Sequence, residues 1–186
     1  MRTTITVIIV ALILSTLACQ FSVGGPEPPG HLIPTSMDVV NDVTRTWQTA
    51  VNAAVVSGNI FILLDEVQLT TFLAKRLEAS EKPVLLEPMV YLRQNSIQIF
   101  GVYSNGPFLA NVLLAITPII NEEGDISFEL STAEFGPIPI PETLKDTISA
   151  ILTESFTGTF GPLATGIRIT TLAIDEGEIA IVGELR

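Results

Sequence analysis

Three pairs of adjacent carboxylates are the groups in this chain that could carry acid–base chemistry: Asp65-Glu66, Glu122-Glu123 and Asp175-Glu176. Glycosidase-type catalysis needs two carboxylates whose environments push their pKa values apart. The first pair stands at the predicted start of a helix, and the other two stand in predicted turns. Such positions are typical of helix caps and of solvated charge. We therefore expect no catalytic residue among them.

Imidazole and thiol groups are confined to the N-terminal part of the chain, where His31 and Cys19 are the one histidine and the one cysteine. Hydrolases of the Ser-His-Asp and Cys-His types and the common zinc sites are therefore excluded from the folded region. The acidic stretch 121–125 lacks the ligand ladder of a regular calcium loop. No glycine-rich phosphate loop follows a strand. We predict no enzymatic activity, no cofactor and no metal.

The composition describes one acidic domain. The chain has 186 residues and a net charge of −11, from 9 Lys and Arg against 20 Asp and Glu. Without its N-terminal segments it is the size of a single ordinary domain, which can bury a sizeable core. Its charge repels phosphate backbones and anionic lipid surfaces. We therefore expect no nucleic-acid partner and no electrostatic membrane binding.

The segment before Cys19 has the layout of an export signal, with Met1-Arg2 at its start and a long apolar run after it. It ends in Leu17-Ala18-Cys19 and resembles a bacterial lipoprotein signal peptide, in which the cysteine receives lipid after cleavage. The resemblance implies a signal peptide at 1–18 and a protein anchored to a membrane in the cell envelope, outside the cytoplasm. An uncleaved anchor helix remains an alternative, because the apolar run is nearly long enough to span a bilayer. Ordinary secretion is a further alternative.

Residues 19–35 contain the run Gly24–Gly30, which is rich in Pro and Gly and poor in apolar side chains. Such a segment is typical of an extended tether. The rest of the chain, residues 36–186, is predicted to form a single domain.

The domain alternates helical and strand patterns. A helix is predicted at 37–56, ending near Gly58, and a second helix begins at an Asp65 cap with Gln68 completing a capping box. A third helix runs from Pro141 to Gly158. Six strands are predicted at 60–64, 97–104, 108–120, 126–135, 167–174 and 178–185, and a further strand at 89–93. The short connections require an antiparallel sheet, so the predicted class is α+β with the sheet packed on long amphipathic helices.

Four stretches carry a further resemblance: 65–73, 88–101, 136–141 and 166–183. In their order and pattern they resemble small membrane-anchored bacterial proteins related to the tubular lipid-binding (TULIP-like) superfamily, over about residues 58–185. The resemblance implies a curved antiparallel sheet wrapped around a long helix, with an apolar groove for lipid acyl chains and no enzymatic activity. The helix at 37–56 lies outside it.

Under that resemblance, one face of the second helix, one face of the third helix and the facing strands would line an apolar cavity. The candidate lining residues are Leu69, Phe72, Leu73, Leu77, Ile97, Ile99, Leu113, Ile116, Ile148, Ile151, Leu152 and Phe156. A 16-carbon chain buried there would gain on the order of 10 kcal/mol before ordering costs. The alternative is that the same residues fill a close-packed core, and that the domain is a protein-interaction or scaffolding module without a ligand.

Overall fold

The computed structural model describes residues 21–30, 32–79, 83, 85–122, 126–136, 142–157 and 166–185, and for some of these only the backbone. It contains helices α1 (Met37–Ser57), α2 (Glu66–Glu78) and α3 (Glu142–Thr157). Its strands are β1 (Phe21–Val23), β2 (Asn59–Asp65), β3 (Leu85–Arg93), β4 (Ser96–Asn105), β5 (Phe108–Ile120), β6 (Ile126–Glu134), β7 (Ile167–Asp175) and β8 (Glu178–Leu185). The predicted α+β class is confirmed. Cys19 and the predicted signal lie outside the described residues.

Within the described ranges, the larger sheet has five strands built around β5. Strands β3, β4 and β5 follow one another as antiparallel hairpins, and β6 adds to β5 in the same sense. Strand β1 pairs with β5 in parallel. The turn between β3 and β4 has only Gln94 and Asn95 between the paired residues, and both have positive φ, as a type I′ hairpin requires.

The smaller sheet has the strand order β2-β8-β7 and is antiparallel throughout. Strands β7 and β8 are joined by the predicted turn at Asp175-Glu176-Gly177, where Gly177 takes a φ of 88°. Strand β8 is central because it pairs with β2 on one side and with β7 on the other, with Ile60 opposite Gly183 and Asp175 opposite Glu178. Among the described strands, β2 and β7 are the two edges of this sheet.

Both sheets and the three described helices contribute to one apolar core. Ile60 and Ile179 of the smaller sheet, Ile99 and Leu114 of the larger sheet, and Leu144 of α3 are each at most 2% exposed and belong to the same cluster. Helix α1, which the family pattern did not place, also joins it, since Ala54 is fully buried. No helix in the described ranges is long and apolar enough to cross a membrane.

Local signals fix the helix boundaries as predicted. Helix α1 ends at Gly58, whose φ of 78° is the left-handed conformation that glycine adopts without strain. Helix α2 begins at the Asp65 cap: the carboxylate accepts a hydrogen bond from the Gln68 amide at 2.7 Å, and the Gln68 side chain accepts one from the Asp65 amide at 3.0 Å. This reciprocal pair satisfies two backbone donors that would otherwise lack partners.

We expect Asp65→Ala to lower the unfolding free energy by about 1 kcal/mol, because it removes the acceptor for the Gln68 amide. Asp65→Asn is the matched control, since asparagine caps helices about as well as aspartate. Chemical denaturation of the two variants measures the difference. Equal stability of Asp65→Ala and the unchanged protein would contradict the role of this carboxylate as a cap.

The N-terminal segment differs from the predicted free tether. Phe21 lies opposite Phe108 in the parallel pair of β1 and β5, and Ile33 is 7% exposed against Tyr91. The Tyr91 hydroxyl donates a hydrogen bond to the Pro29 carbonyl at 3.3 Å. The reason for the difference is that the larger sheet has apolar side chains on both faces, so its outer face needs a cover, and this segment supplies part of it.

Candidate functional site

The predicted apolar cavity corresponds to the interior face of the larger sheet and the helices beside it. The structure brings eight of the twelve candidate residues together in the one core cluster. Six are buried and two are half-buried at its border: Leu73, Leu77, Ile97, Ile99, Ile116 and Ile148 in the first group, Leu69 and Ile151 in the second. The strands supply alternate residues, so this face of β4 carries Ile97 and Ile99 but not Phe100.

The exposure of these side chains bears on whether they line open space. A tunnel wide enough for an acyl chain is wider than a water molecule, so its lining side chains would keep surface that water can reach. Ile99 and Ile148 are each 1% exposed, and Leu77 is 2% exposed. Side chains this fully covered pack against other protein atoms. For the buried candidates, the geometry therefore favours the filled core over the lined cavity.

Of the other four candidate residues, two are described and lie apart from this shared face. Leu113 packs on the opposite side of the larger sheet with Phe100 and Tyr91, because it alternates with Leu114 along β5. Phe72 lies under the guanidinium of Arg76, which is 5.4 Å from the ring centre. The side chains of Leu152 and Phe156 lie outside the described residues.

Helix α2 covers the exposed edge of the larger sheet. Strand β3 is the last strand on this side, so alternate backbone amides point away from the sheet. The Val90 amide donates to the Thr70 hydroxyl at 2.8 Å, and the Leu92 amide donates to the Glu66 carboxylate at 2.9 Å. Thr70 is fully buried. These polar side chains of α2 therefore replace the missing neighbouring strand.

Two of the three acid pairs meet at one arginine. Arg93 forms ion pairs with Glu66 and with Glu176, the second at 3.2 Å. The same guanidinium lies 5.7 Å from the ring centre of Tyr91. The Gly177 amide donates to the Leu92 carbonyl at 3.1 Å, beside these ion pairs. These contacts connect the start of α2, the end of β3 and the β7–β8 turn. The spacing of these residues in the sequence does not predict the contacts.

Tyr91 lies directly under this junction and is fully buried. Burial raises the pKa of its phenol, the Glu66 carboxylate raises it further, and Arg93 acts in the opposite direction. The phenol therefore stays protonated and keeps its hydrogen bond to the Pro29 carbonyl. The ring meets Phe100 edge to face, with ring centres 5.5 Å apart. The junction thus links the N-terminal segment to the face of the larger sheet that lies opposite the core.

The remaining described members of the acid pairs cap a helix, stabilise a turn or are exposed to solvent. The Asp65 carboxylate caps α2, and the Asp175 carboxylate accepts the Glu176 amide at 2.8 Å within the turn. Glu122 is exposed, and its backbone carbonyl accepts a hydrogen bond from Arg168 at 2.6 Å. Glu123 lies outside the described residues. The positions in caps and turns are as predicted for Asp65 and Asp175.

The smaller sheet has an apolar outer face that sequence reasoning missed. Alternation directs Phe61 and Leu63 of β2 away from the core, and they are 62% and 42% exposed. In the register of the sheet, Phe61 lies opposite Val182, and Leu63 lies opposite Ala180. Ala173 of β7 continues the second row. We call this surface, made of Phe61, Leu63, Ala173, Ala180 and Val182, the outer apolar face.

A row of three carboxylates borders the outer apolar face at one end. Asp65 of β2 lies opposite Glu178 of β8, which in turn lies opposite Asp175 of β7. Like charges directly opposite one another on a sheet destabilise it. No three acidic or other ligand side chains among the described residues are arranged to hold a metal ion. We call Asp65, Glu178 and Asp175 the acidic row.

No protein family model matches the chain, and no match to it was found among curated proteins.

Proposed function

We propose that this protein is a membrane-anchored interaction module of the cell envelope, with a filled core and no enzymatic activity. The observation that carries the proposal is the outer apolar face, where Phe61 is 62% exposed beside the half-exposed Leu63. Contiguous apolar surface that remains exposed on a domain is typical of a protein-binding site. The interior, by contrast, consists of side chains such as Ile99 and Ile148 that leave almost no accessible surface.

The engagement of the acidic side chains supports the non-enzymatic part of the proposal. Catalytic carboxylates need to face a substrate with shifted pKa values. Here Glu66 accepts a backbone amide and pairs with Arg93, which also binds Glu176. Asp65 accepts the amide of Gln68. Each of these carboxylates holds protein groups in place, which is sufficient reason for its presence.

The anchor is proposed from the sequence before Cys19, which resembles a lipoprotein signal peptide. The domain itself carries a net charge that anionic lipid repels, so a covalent lipid at Cys19 is what would hold it at the membrane. Phe21 is already part of the sheet, so the anchor would join the domain directly.

A TULIP-like lipid-binding domain is the second candidate function. It is favoured by the position of α2 and α3, which both contribute side chains to the core on one face of the larger sheet. Leu73 and Leu77 of α2 and Ile148 of α3 belong to one cluster, which also contains Ile97 and Ile99. Helices placed on a sheet in this way could separate to admit an acyl chain. In this case the helix faces would move apart on binding, since the buried side chains are in contact without a ligand.

Mass spectrometry of the full chain, extracted from membranes in detergent, tests both proposals. For the intact denatured protein, we expect the mass of the mature chain from Cys19 plus covalent lipid, and we expect Cys19→Ala to lose that lipid. Under native conditions we expect no further lipid to remain bound. Acyl chains retained by the native protein would replace the filled-core module with the lipid-binding domain. Lipid labelling that survives Cys19→Ala would overturn the proposed anchor.

A further inference from the structure

Strand β2 is an edge of the smaller sheet, and its two ends have local hydrogen-bond partners. Among the described strands it pairs with β8 alone. The Leu185 amide bonds to the Gly58 carbonyl, and the Glu66 amide bonds to the Gly177 carbonyl. Because hydrogen-bonded positions alternate along an antiparallel strand, the positions 60, 62 and 64 between these two also face β8. The backbone groups of 59, 61, 63 and 65 therefore point away from the sheet.

Local side chains satisfy the two ends of this edge. The Asn59 amide donates to the Ser57 hydroxyl at 3.2 Å, and that hydroxyl donates to the Asn59 carbonyl at 2.9 Å. At the other end, the Asp65 amide donates to the Gln68 side chain at 3.0 Å. Phe61 and Leu63 lie between them, and within the described part of the chain their outward amides and carbonyls have no such partner. They are also the two exposed side chains of β2 on the outer apolar face.

The edge strands of the two sheets differ in the hydrogen-bond partners of their outward backbone groups. At β3, the side chains of Thr70 and Glu66 accept the outward amides of Val90 and Leu92. At β2, the outward backbone groups of Phe61 and Leu63 have no recorded partner among the described residues, and the two side chains are exposed and apolar. Unpaired edge groups of this kind can pair with another strand. An extended peptide that adds to such an edge gains backbone hydrogen bonds, and alternate side chains give the pairing its specificity.

We propose that this edge of β2 receives an extended segment of a protein partner, which adds as a fourth strand to the smaller sheet. This inference rests on the proposed interaction function. The segment carries two apolar side chains two residues apart, opposite Phe61 and Leu63 on the outer apolar face. It carries a Lys or Arg two residues further on, opposite Asp65 at the end of the acidic row.

Charge complementarity selects this partner over a second copy of the chain. Asp65, Glu178 and Asp175 form a row across three strands, and the described residues record no ion pair for any of them. A basic side chain placed at the end of this row would relieve its mutual repulsion. A second copy brings a net charge of −11 to a surface that is already acidic.

Two short peptides with blocked ends are the probes: Val-Thr-Val-Thr-Lys for a parallel strand and Lys-Thr-Val-Thr-Val for an antiparallel one. Each is titrated into the isotope-labelled full chain in detergent micelles, and backbone amide resonances are followed by NMR. We expect saturable shifts for Phe61 and Leu63 with one of the two peptides at millimolar concentration. Absence of such shifts with both peptides overturns the inference.

N-methylated peptides distinguish strand addition from simple hydrophobic contact. Alternate amides of an added strand face the protein, so methylating one alternate set should abolish binding while methylating the other set leaves it in place. Equal effects of the two sets would contradict strand addition. This control requires no change to the protein, so it does not depend on how a variant folds.

The acidic row is tested with the variants Asp65→Asn and Glu178→Gln, of which the first keeps the cap of α2. We expect each variant to bind the Lys peptide with about two- to fivefold lower affinity, as is typical for the loss of an exposed ion pair. A peptide with Glu in place of Lys should bind with unchanged or higher affinity. Equal affinity of the Lys and Glu peptides would refute the basic partner.

Two further outcomes are separable. A dimer of the full chain that buries Phe61 and Leu63 without peptide would make a second copy the occupant, and overturn the inference. Acyl lipid retained in the core together with peptide-dependent shifts at Phe61 and Leu63 would reject the filled-core function while this inference stands. A lipid-free protein without peptide binding would reject this inference alone.

Discussion

Leu77→Ala is expected to lower the unfolding free energy by about 2–5 kcal/mol, which is the range for truncating a leucine in a close-packed core. Leu77 is 2% exposed on the buried side of α2, in the same cluster as Ile99 and Ile148. Alanine favours helices at least as well as leucine, so the loss reports on packing and leaves the propensity of α2 intact. Denaturant unfolding monitored by circular dichroism measures it.

Leu63→Ala is the matched control, because it removes the same atoms from a side chain that is 42% exposed on the outer apolar face. We expect its cost to stay within about 1 kcal/mol, as for most surface substitutions. Similar losses for the two leucines, both small, would mean that Leu77 borders open space. That result, together with uptake of a fluorescent fatty acid, would favour the lipid-binding domain.

Gly183→Ala is expected to lower the unfolding free energy by about 3 kcal/mol, which is the upper end of the usual range for overpacking a core. It should also lower the yield of folded protein. A methyl group added there would lie 2.7 Å from the Arg168 carbonyl oxygen and 2.8 Å from a side-chain carbon of Ile167. The oxygen belongs to the backbone of a paired strand, and Ile167 is itself 1% exposed, so neither has room to move. Thermal unfolding measures the loss.

Gly30→Ala serves as the control, because a methyl group there meets no atom within 4 Å. We expect no loss of stability and a gain of up to about 1 kcal/mol, since alanine restricts the unfolded chain more than glycine does. If Gly183→Ala were as stable as Gly30→Ala, the close approach of β7 to β8 would not be a feature of the folded protein.

The features that sequence predicted well depend on residues close to one another in the chain. The cap formed by Asp65 and Gln68 spans three residues, and the end of α1 depends on Gly58 alone. The turn at Gln94-Asn95 likewise falls in the short gap between the strands predicted at 89–93 and 97–104, which pair directly. Each of these signals is satisfied locally, so the rest of the fold does not override it.

The features that sequence missed depend on contacts between distant parts of the chain. The parallel pairing of Phe21 with Phe108 and the meeting of Glu66 with Glu176 at Arg93 leave no periodic pattern in any one segment. Placing Leu113 on the wrong face had a different cause. Because β5 is apolar on both faces, composition did not distinguish them, although the alternation of odd and even residues separates Leu113 from Ile116.

With the proposed lipid on Cys19, the parallel pairing of β1 with β5 would determine how the domain is oriented at a bilayer. Only one residue, Gln20, separates Cys19 from Phe21, so a lipid on Cys19 would reach the sheet over at most about 7 Å of extended chain. The turn at 105–107, beside the partner of Phe21, would then rest near the headgroups. The domain would have little freedom to tumble, and would explore its surroundings by lateral diffusion with one end always facing the lipid.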